Sequence, residues 1–97
     1  MKKLGSLQKQ DKTFFTGCFK GVDVEVKLND KREKDTQPNF RIYWKDGTEC
    51  GVLWKRTKKD DSSYVYLTGE CSDIKIVVFK NKQSEGYGIY LSEDRNE

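Results

Sequence analysis

The sequence predicts an all-β protein, an antiparallel meander of about seven or eight short strands that closes into a small barrel or folds as a sandwich. Three observations carry this. The segment VDVEVKL (22–28) alternates Val22, Val24, Val26 and Leu28 against Asp23, Glu25 and Lys27, a half-buried strand with one wet face. Short β-branched or aromatic runs recur about every ten residues, separated by turn residues. No segment shows a 3.6-residue period.

Two weaker strands come first, around Leu4–Leu7 and Phe14–Phe19, joined by a turn at Gln10-Asp11-Lys12. After 22–28 comes the polar stretch NDKREKDTQP (29–38), which has no apolar anchor, ends at the single proline, Pro38, and reads as a solvated loop. FRIYW (40–44), CGVLW (50–54), YVYL (64–67), IKIVVF (74–79) and YGIYL (87–91) supply the remaining strands. Lys45-Asp46-Gly47, Asp60-Asp61-Ser62 and Ser84-Glu85-Gly86 fall at turns. At 97 residues the chain is one domain, 1–97, with residues 92–97 expected to fray. A chain this size buries roughly 65% of its unfolded surface. No internal repeat is evident.

Register decides which side chains face out. A three-residue loop Lys45-Asp46-Gly47, with Gly47 in the left-handed region, pairs Trp44 with Thr48. Carried straight along both strands, that register puts Phe40, Ile42, Trp44, Cys50, Val52 and Trp54 on one apolar face. Arg41, Tyr43, Glu49, Gly51, Leu53 and Lys55 share the other. A slip of one residue would put Glu49 and Lys55 in line with the apolar side chains, each of which gains about 1.5–3 kcal/mol from burial. Both tryptophans are therefore expected in the core. If Val65 and Leu67 extend the apolar stripe, Tyr64 and Tyr66 face out. The expected contact surface is then Arg41, Tyr43, Lys55, Lys58, Lys59, Tyr64 and Tyr66, phenol rings set among cations.

Charge is mildly basic, net +3 with a pI of about 8.7, and unevenly spread. Residues 1–59 hold 15 Lys and Arg against 8 Asp and Glu; residues 60–97 hold 4 against 8. Aromatic residues make up 12%, which separates the chain from disordered polyampholytes. The start MKKLGSLQKQ lacks the apolar region of a signal peptide, and no apolar run approaches the ~18 residues of a membrane span. With three cysteines, an odd count at wide spacing, a reducing, cytoplasmic setting without disulfides is expected.

The inventory is poor in catalytic groups. There is no histidine, so no Ser-His or Cys-His nucleophile pair is available and the common zinc patterns are absent. Asp23 and Glu25 on a wet strand read as solubilising. Gly86-Tyr87-Gly88 opens a strand and no helix follows, so it is no phosphate loop. Neither enzymatic activity nor a cofactor or metal is expected.

The run FRIYWKDGTECGVLWKRTKKDDSSYVYL resembles a bacterial family catalogued as domain of unknown function 736, small proteins common on plasmids and other mobile elements of proteobacteria. The resemblance rests on Gly5-Ser6, Thr16-Gly17, Pro38-Asn39-Phe40-Arg41, Gly47, Glu49, Gly51, Trp54-Lys55-Arg56-Thr57 and Tyr64, and its spacing persists to YGIYL. VDVEVKL and GECSD (69–73) depart from the family pattern. The resemblance implies an accessory protein of a plasmid, phage or integrated element, and no specific activity. Two roles fit the residues. One is binding of nucleic acid, single-stranded or without sequence preference, through the tyrosine and basic face. The other is binding of a host or element protein, or its inhibition, through the same face or a sheet edge. A homodimer through edge-strand pairing is a further expectation, and no membrane association is expected.

Overall fold

The computed structural model describes residues 2–81 and 86–92. It contains eight strands: β1 (Lys3–Asp11), β2 (Phe14–Phe19), β3 (Val22–Leu28), β4 (Phe40–Trp44), β5 (Glu49–Lys58), β6 (Asp61–Cys71), β7 (Ile74–Lys80) and β8 (Tyr87–Leu91). Each pairs antiparallel with its sequence neighbour, and β8 returns to β1, so the meander closes into a barrel. Of the two architectures left open by the sequence, this is the barrel. Closure pairs both sides of the barrel body, but the β5–β6 hairpin runs beyond its neighbours: residues 54–58 have no partner in β4, nor residues 61–66 in β7, among the described residues.

The turns follow local chemistry. Lys20 and Gly21, with φ of 52° and 82°, form a two-residue turn of the mirror-image type that suits twisted hairpins, and Ser72 and Asp73, with φ of 54° and 68°, form its counterpart. The β4–β5 loop is the three-residue one: Trp44 N–H donates to Thr48 O at 2.8 Å, Gly47 N–H donates to Trp44 O at 2.9 Å, and Gly47 has φ 93°. The β5–β6 turn falls at Lys59-Asp60, one residue earlier than the sequence suggests. The turn expected at Ser84-Glu85-Gly86 and the fraying expected at 92–97 lie mostly outside the described residues.

The strands also reveal an internal duplication. Gly5-Ser6-Leu7-Gln8-Lys9 in β1 matches Gly51-Val52-Leu53-Trp54-Lys55 in β5, and Thr16-Gly17 in β2 matches Thr68-Gly69 in β6. The two mirror-image turns correspond, as do Phe40-Arg41-Ile42-Tyr43-Trp44 and Tyr87-Gly88-Ile89-Tyr90-Leu91. Equivalent positions fill the core: Leu7 with Leu53, Val24 with Ile76, Val26 with Val78, and Ile42 with Ile89 are all at most 3% exposed. Each half is a four-stranded meander that covers its apolar face only by joining the other. Gly17 and Gly69 are equivalent points of close strand approach, since a Cβ there would lie 2.0 Å from Ser6 O and 1.9 Å from Val52 O respectively. The repeat escapes a linear reading because its loops differ in length and many of its matches are conservative, not identical.

One expectation about facing is overturned. Tyr43 pairs with Glu49 but Ile42 pairs with Gly51, so Cys50 is an extra residue bulging from β5. A bulge inverts the facing of everything beyond it. Leu53, expected outside, is fully buried, and Trp54, expected in the core, lies on the outer face. Trp44, before the bulge, packs against the core as expected. Val65 does stand on the inward side, but at the barrel rim, 49% exposed.

Candidate nucleic-acid interface

Beyond the bulge, the outward positions of β5 are Val52, Trp54, Arg56 and Lys58. Those of β6 are Tyr64, Tyr66, Thr68 and Glu70, since Arg56 pairs with Tyr66 and Trp54 with Thr68. Alternation continues across β7, through Lys75, Val77 and Phe79, and β8, through Gly88 and Tyr90. The outer surface of β6–β8 therefore carries a chain of rings. Tyr64 and Tyr66 have centroids 6.5 Å apart, Tyr66 and Phe79 5.6 Å, and Phe79 and Tyr90 6.1 Å, all tilted. All four are half-buried. Gly88 makes room for this: a Cβ there would lie 2.6 Å from Cε1 of Tyr90, so the missing side chain lets that ring lie down on the sheet toward Phe79. Val77 points outward yet is only 6% exposed, which places it beneath this aromatic cover.

Two cations border the rings. Lys58 Nζ stands 4.3 Å from the Tyr64 centroid, within cation–π range, and Arg56 lies directly across from Tyr66. Neither is ion-paired among the described residues. Lys59 sits at the adjacent hairpin tip, exposed. Trp54 is on the same surface but already engaged: its Nε1–H donates to Thr36 O at 2.9 Å, and Asn39 Oδ1 accepts from Lys55 N–H beside it. The loop 29–39 thus folds against Trp54. It is also internally braced, with Gln37 Oε1 accepting from the backbone of Glu33 and Lys34, and Arg32 reaching Gln37 O and Asp35 O.

Of the seven residues expected to form one surface, the structure brings together Lys58, Tyr64 and Tyr66, with Lys59 next to them. Arg41 and Tyr43 lie on the outer side of β4, elsewhere. Tyr43 stands opposite Glu49 and Tyr66 opposite Arg56, roughly 23 Å further along β5 at the usual strand rise. Arg41 is occupied: Nη1 contacts both Glu49 carboxylate oxygens at 2.9 and 3.1 Å, and Nε donates to Asn29 Oδ1 at 3.2 Å. Lys55 points inward at one end of the barrel, its Nζ 6.0 Å from the Phe40 ring. Arg56, Phe79 and Tyr90 were missed. The signal for the rings was present in IKIVVFK and YGIYL, where Phe79 and Tyr90 alternate with buried Val78 and Ile89. Arg56 needed the bulge to be known.

Neither Cys50 nor Cys71 is shifted in the direction of a reactive thiol. Cys71 Sγ–H donates to Cys50 Sγ at 3.5 Å, and all three thiols are free. Burial, followed by the Cys50 thiol, pushes the Cys71 thiol up to about 12, and burial also raises Cys50. Reactive thiols are shifted the other way. Among the described residues no group of three or more His, Cys, Asp or Glu could hold a metal ion. Among the described residues no helix is long and apolar enough to cross a membrane.

Architecture and surface together define a small closed β-barrel built from two similar halves, with an aromatic strip on one flank. The chain belongs to the family described as Protein of unknown function (DUF736), which matches residues 3–91. No curated protein and no solved structure matches it.

Proposed function

We propose that this protein is a non-enzymatic binder of nucleic acid, single-stranded or without sequence preference, acting through the outer face of β5–β8. The observation that carries the reading is the row Tyr64, Tyr66, Phe79 and Tyr90, bordered by Arg56 and Lys58, neither ion-paired among the described residues. Aromatic faces on a sheet stack with bases at about 1–3 kcal/mol each whatever the sequence, and adjacent cations hold the phosphates. The strip crosses three strands, so its rings are spaced for successive bases, not for one. A cytoplasmic accessory role on a plasmid, phage or other mobile element completes the proposal, and it draws on the family resemblance.

Fluorescence anisotropy with labelled single-stranded and duplex oligonucleotides tests this. The expected result is tighter binding of single strands, weakening steeply as salt rises. Absence of binding at low salt would remove the proposal. In that event the same strip becomes the contact for a host or element protein, since Tyr and Arg also dominate protein hot spots.

A further inference from the structure

Three strands break their apolar alternation at the same end of the barrel. In Leu7-Gln8-Lys9, Leu53-Trp54-Lys55 and Val78-Phe79-Lys80, a lysine takes the next inward position after a residue at most 1% exposed. Lys9 pairs with Phe15 and Lys80 with Tyr87, so each cation sits beside an inward ring. With Lys12 from the first hairpin, these lysines surround a cavity of about 360 Å³ at the barrel mouth, whose wall Tyr64 and Tyr66 of the strip also line. Phe15 stands edge-on to both Phe40 and Tyr87 in it, with centroids 5.7 and 5.5 Å apart. The internal duplication makes Lys9 equivalent to Lys55 and Phe40 equivalent to Tyr87, so each half contributes one lysine and one ring of these pairs, while Lys80 and Phe15 stand where the other half has Leu28 and Leu67.

Folding alone does not call for this. Like charges directed at one opening repel, and the repulsion grows as the opening dries. Among the described residues none of these four lysines is ion-paired. Asp11 lies on the adjoining rim, but its Oδ1 accepts from the Thr13 N–H and hydroxyl at 2.7 and 2.9 Å. Cations around an apolar, ring-walled recess complement an anion with a flat, apolar body. The volume falls in the range of small-molecule pockets, which β-barrels often hold at their mouths. Depth excludes a long acyl chain: below the rings the barrel axis is filled by Leu7, Leu53, Ile76 and Val78.

We infer that the barrel mouth is a second site, adjoining the Tyr64 and Tyr66 end of the outer aromatic strip, that binds a nucleoside monophosphate. The base lies against Phe15, Phe40 and Tyr87, and the phosphate is held by Lys9, Lys55 and Lys80, compact point charges suited to phosphate oxygens.

NMR titration of the full chain with AMP, adenosine and inorganic phosphate in parallel tests this. AMP is expected to shift the Phe15, Phe40 and Tyr87 ring resonances and to bind at least about tenfold more tightly than adenosine or phosphate. Lys55→Glu and Lys80→Glu should each weaken AMP by about fivefold or more, while Tyr90→Ala, in the strip but outside the cavity wall, leaves it unchanged. Lys55→Gln and Lys80→Gln provide milder variants, and retained spectral dispersion establishes that each is folded. Three results overturn the inference: AMP binding no tighter than inorganic phosphate, affinity untouched by both lysine changes, or no ring shifts up to about 10 mM AMP. Oligonucleotide binding by the strip is read with Tyr90→Ala, which lies outside the cavity wall, so either site stands or falls without the other.

Discussion

The outer face of β3 and β4 and the outer face of β6–β8 share one architecture and differ in how their charges are settled. On the first, Arg41 is held by Glu49 and Asn29, Lys27 lies 3.7 Å from Glu25 and near the Tyr43 ring, and Lys45 is 4.0 Å from Asp23. Every cation there has a carboxylate of this chain beside it. On the second, four rings run together, and among the described residues Arg56 and Lys58 have no ion pair. A surface that neutralises itself gains little from a polyanion, because its counter-charges must first be displaced. A surface with rings and uncompensated cations has its partner still to find. Composition counts both faces alike, as Tyr, Lys and Arg, which is why it could not tell them apart.

The largest expected effect comes from breaking the settled face. Asn29 is 6% exposed; its Nδ2–H donates to Pro38 O, and its Oδ1 accepts from Arg41 Nε and Lys31 N–H. Asn29→Ala strands those groups, and chemical denaturation should show a loss of about 2–3 kcal/mol. Oligonucleotide affinity measured under folded conditions should not change. On the other face the balance reverses. Tyr66→Ala removes the ring that links Tyr64 to Phe79 and should cost about 1–3 kcal/mol of single-strand binding, roughly five- to 150-fold in Kd, read by anisotropy. Its cost in stability should be smaller than that of Asn29→Ala.

The thiol pair sharpens the contrast from inside the barrel, next to Glu49 on the settled side. In the unfolded chain a cysteine loses its proton near pH 9, whereas folded Cys71 keeps it to about 12. Between these values the folded state binds more protons, so stability falls as pH rises, by up to about 1.4 kcal/mol per unit, and is unaffected by this group below 9. Cys71→Val should flatten that part of the pH–stability curve relative to the parent protein, and thiol-reactive dyes should label Cys18 and Cys50 before Cys71 in the folded state.

How far the sequence could be read depended on how far a period survives. Alternation in VDVEVKL and the turn chemistry at Lys45-Asp46-Gly47 were enough for the all-β class and for the odd-numbered loop. The direction of Tyr64 and Tyr66 also followed. What failed was the step through Cys50: a bulge leaves no composition signature, and one extra residue moved Leu53 inside and Trp54 outside. The candidate surface inherited the error, because Arg41 and Tyr43 precede the bulge whereas Lys55 follows it. Nor could a linear reading show that Glu49 and Asn29 both turn toward Arg41, since these contacts join residues from three different segments. Phe79 and Tyr90 were legible by alternation but needed barrel order to bring them to Tyr66. Closure itself rests on pairing β1 with β8, the most distant segments of the chain, and no local pattern announces it.

The smallest effect expected is the most discriminating. Each phosphate neutralised contributes about 0.7 to the salt slope of single-strand binding. Arg56→Gln and Lys58→Gln should each lower that slope by about this amount while changing affinity only a few-fold at moderate salt. Arg41→Gln removes the same formal charge but should leave the slope unchanged, because its guanidinium already faces Glu49. Tyr43→Ala should likewise leave affinity within measurement error, whereas Tyr66→Ala does not. If Arg41 and Arg56 moved the slope equally, the field of the whole barrel rather than the β6–β8 strip would be capturing the strand. The distinction between a neutralised and an open face would then have no bearing on binding.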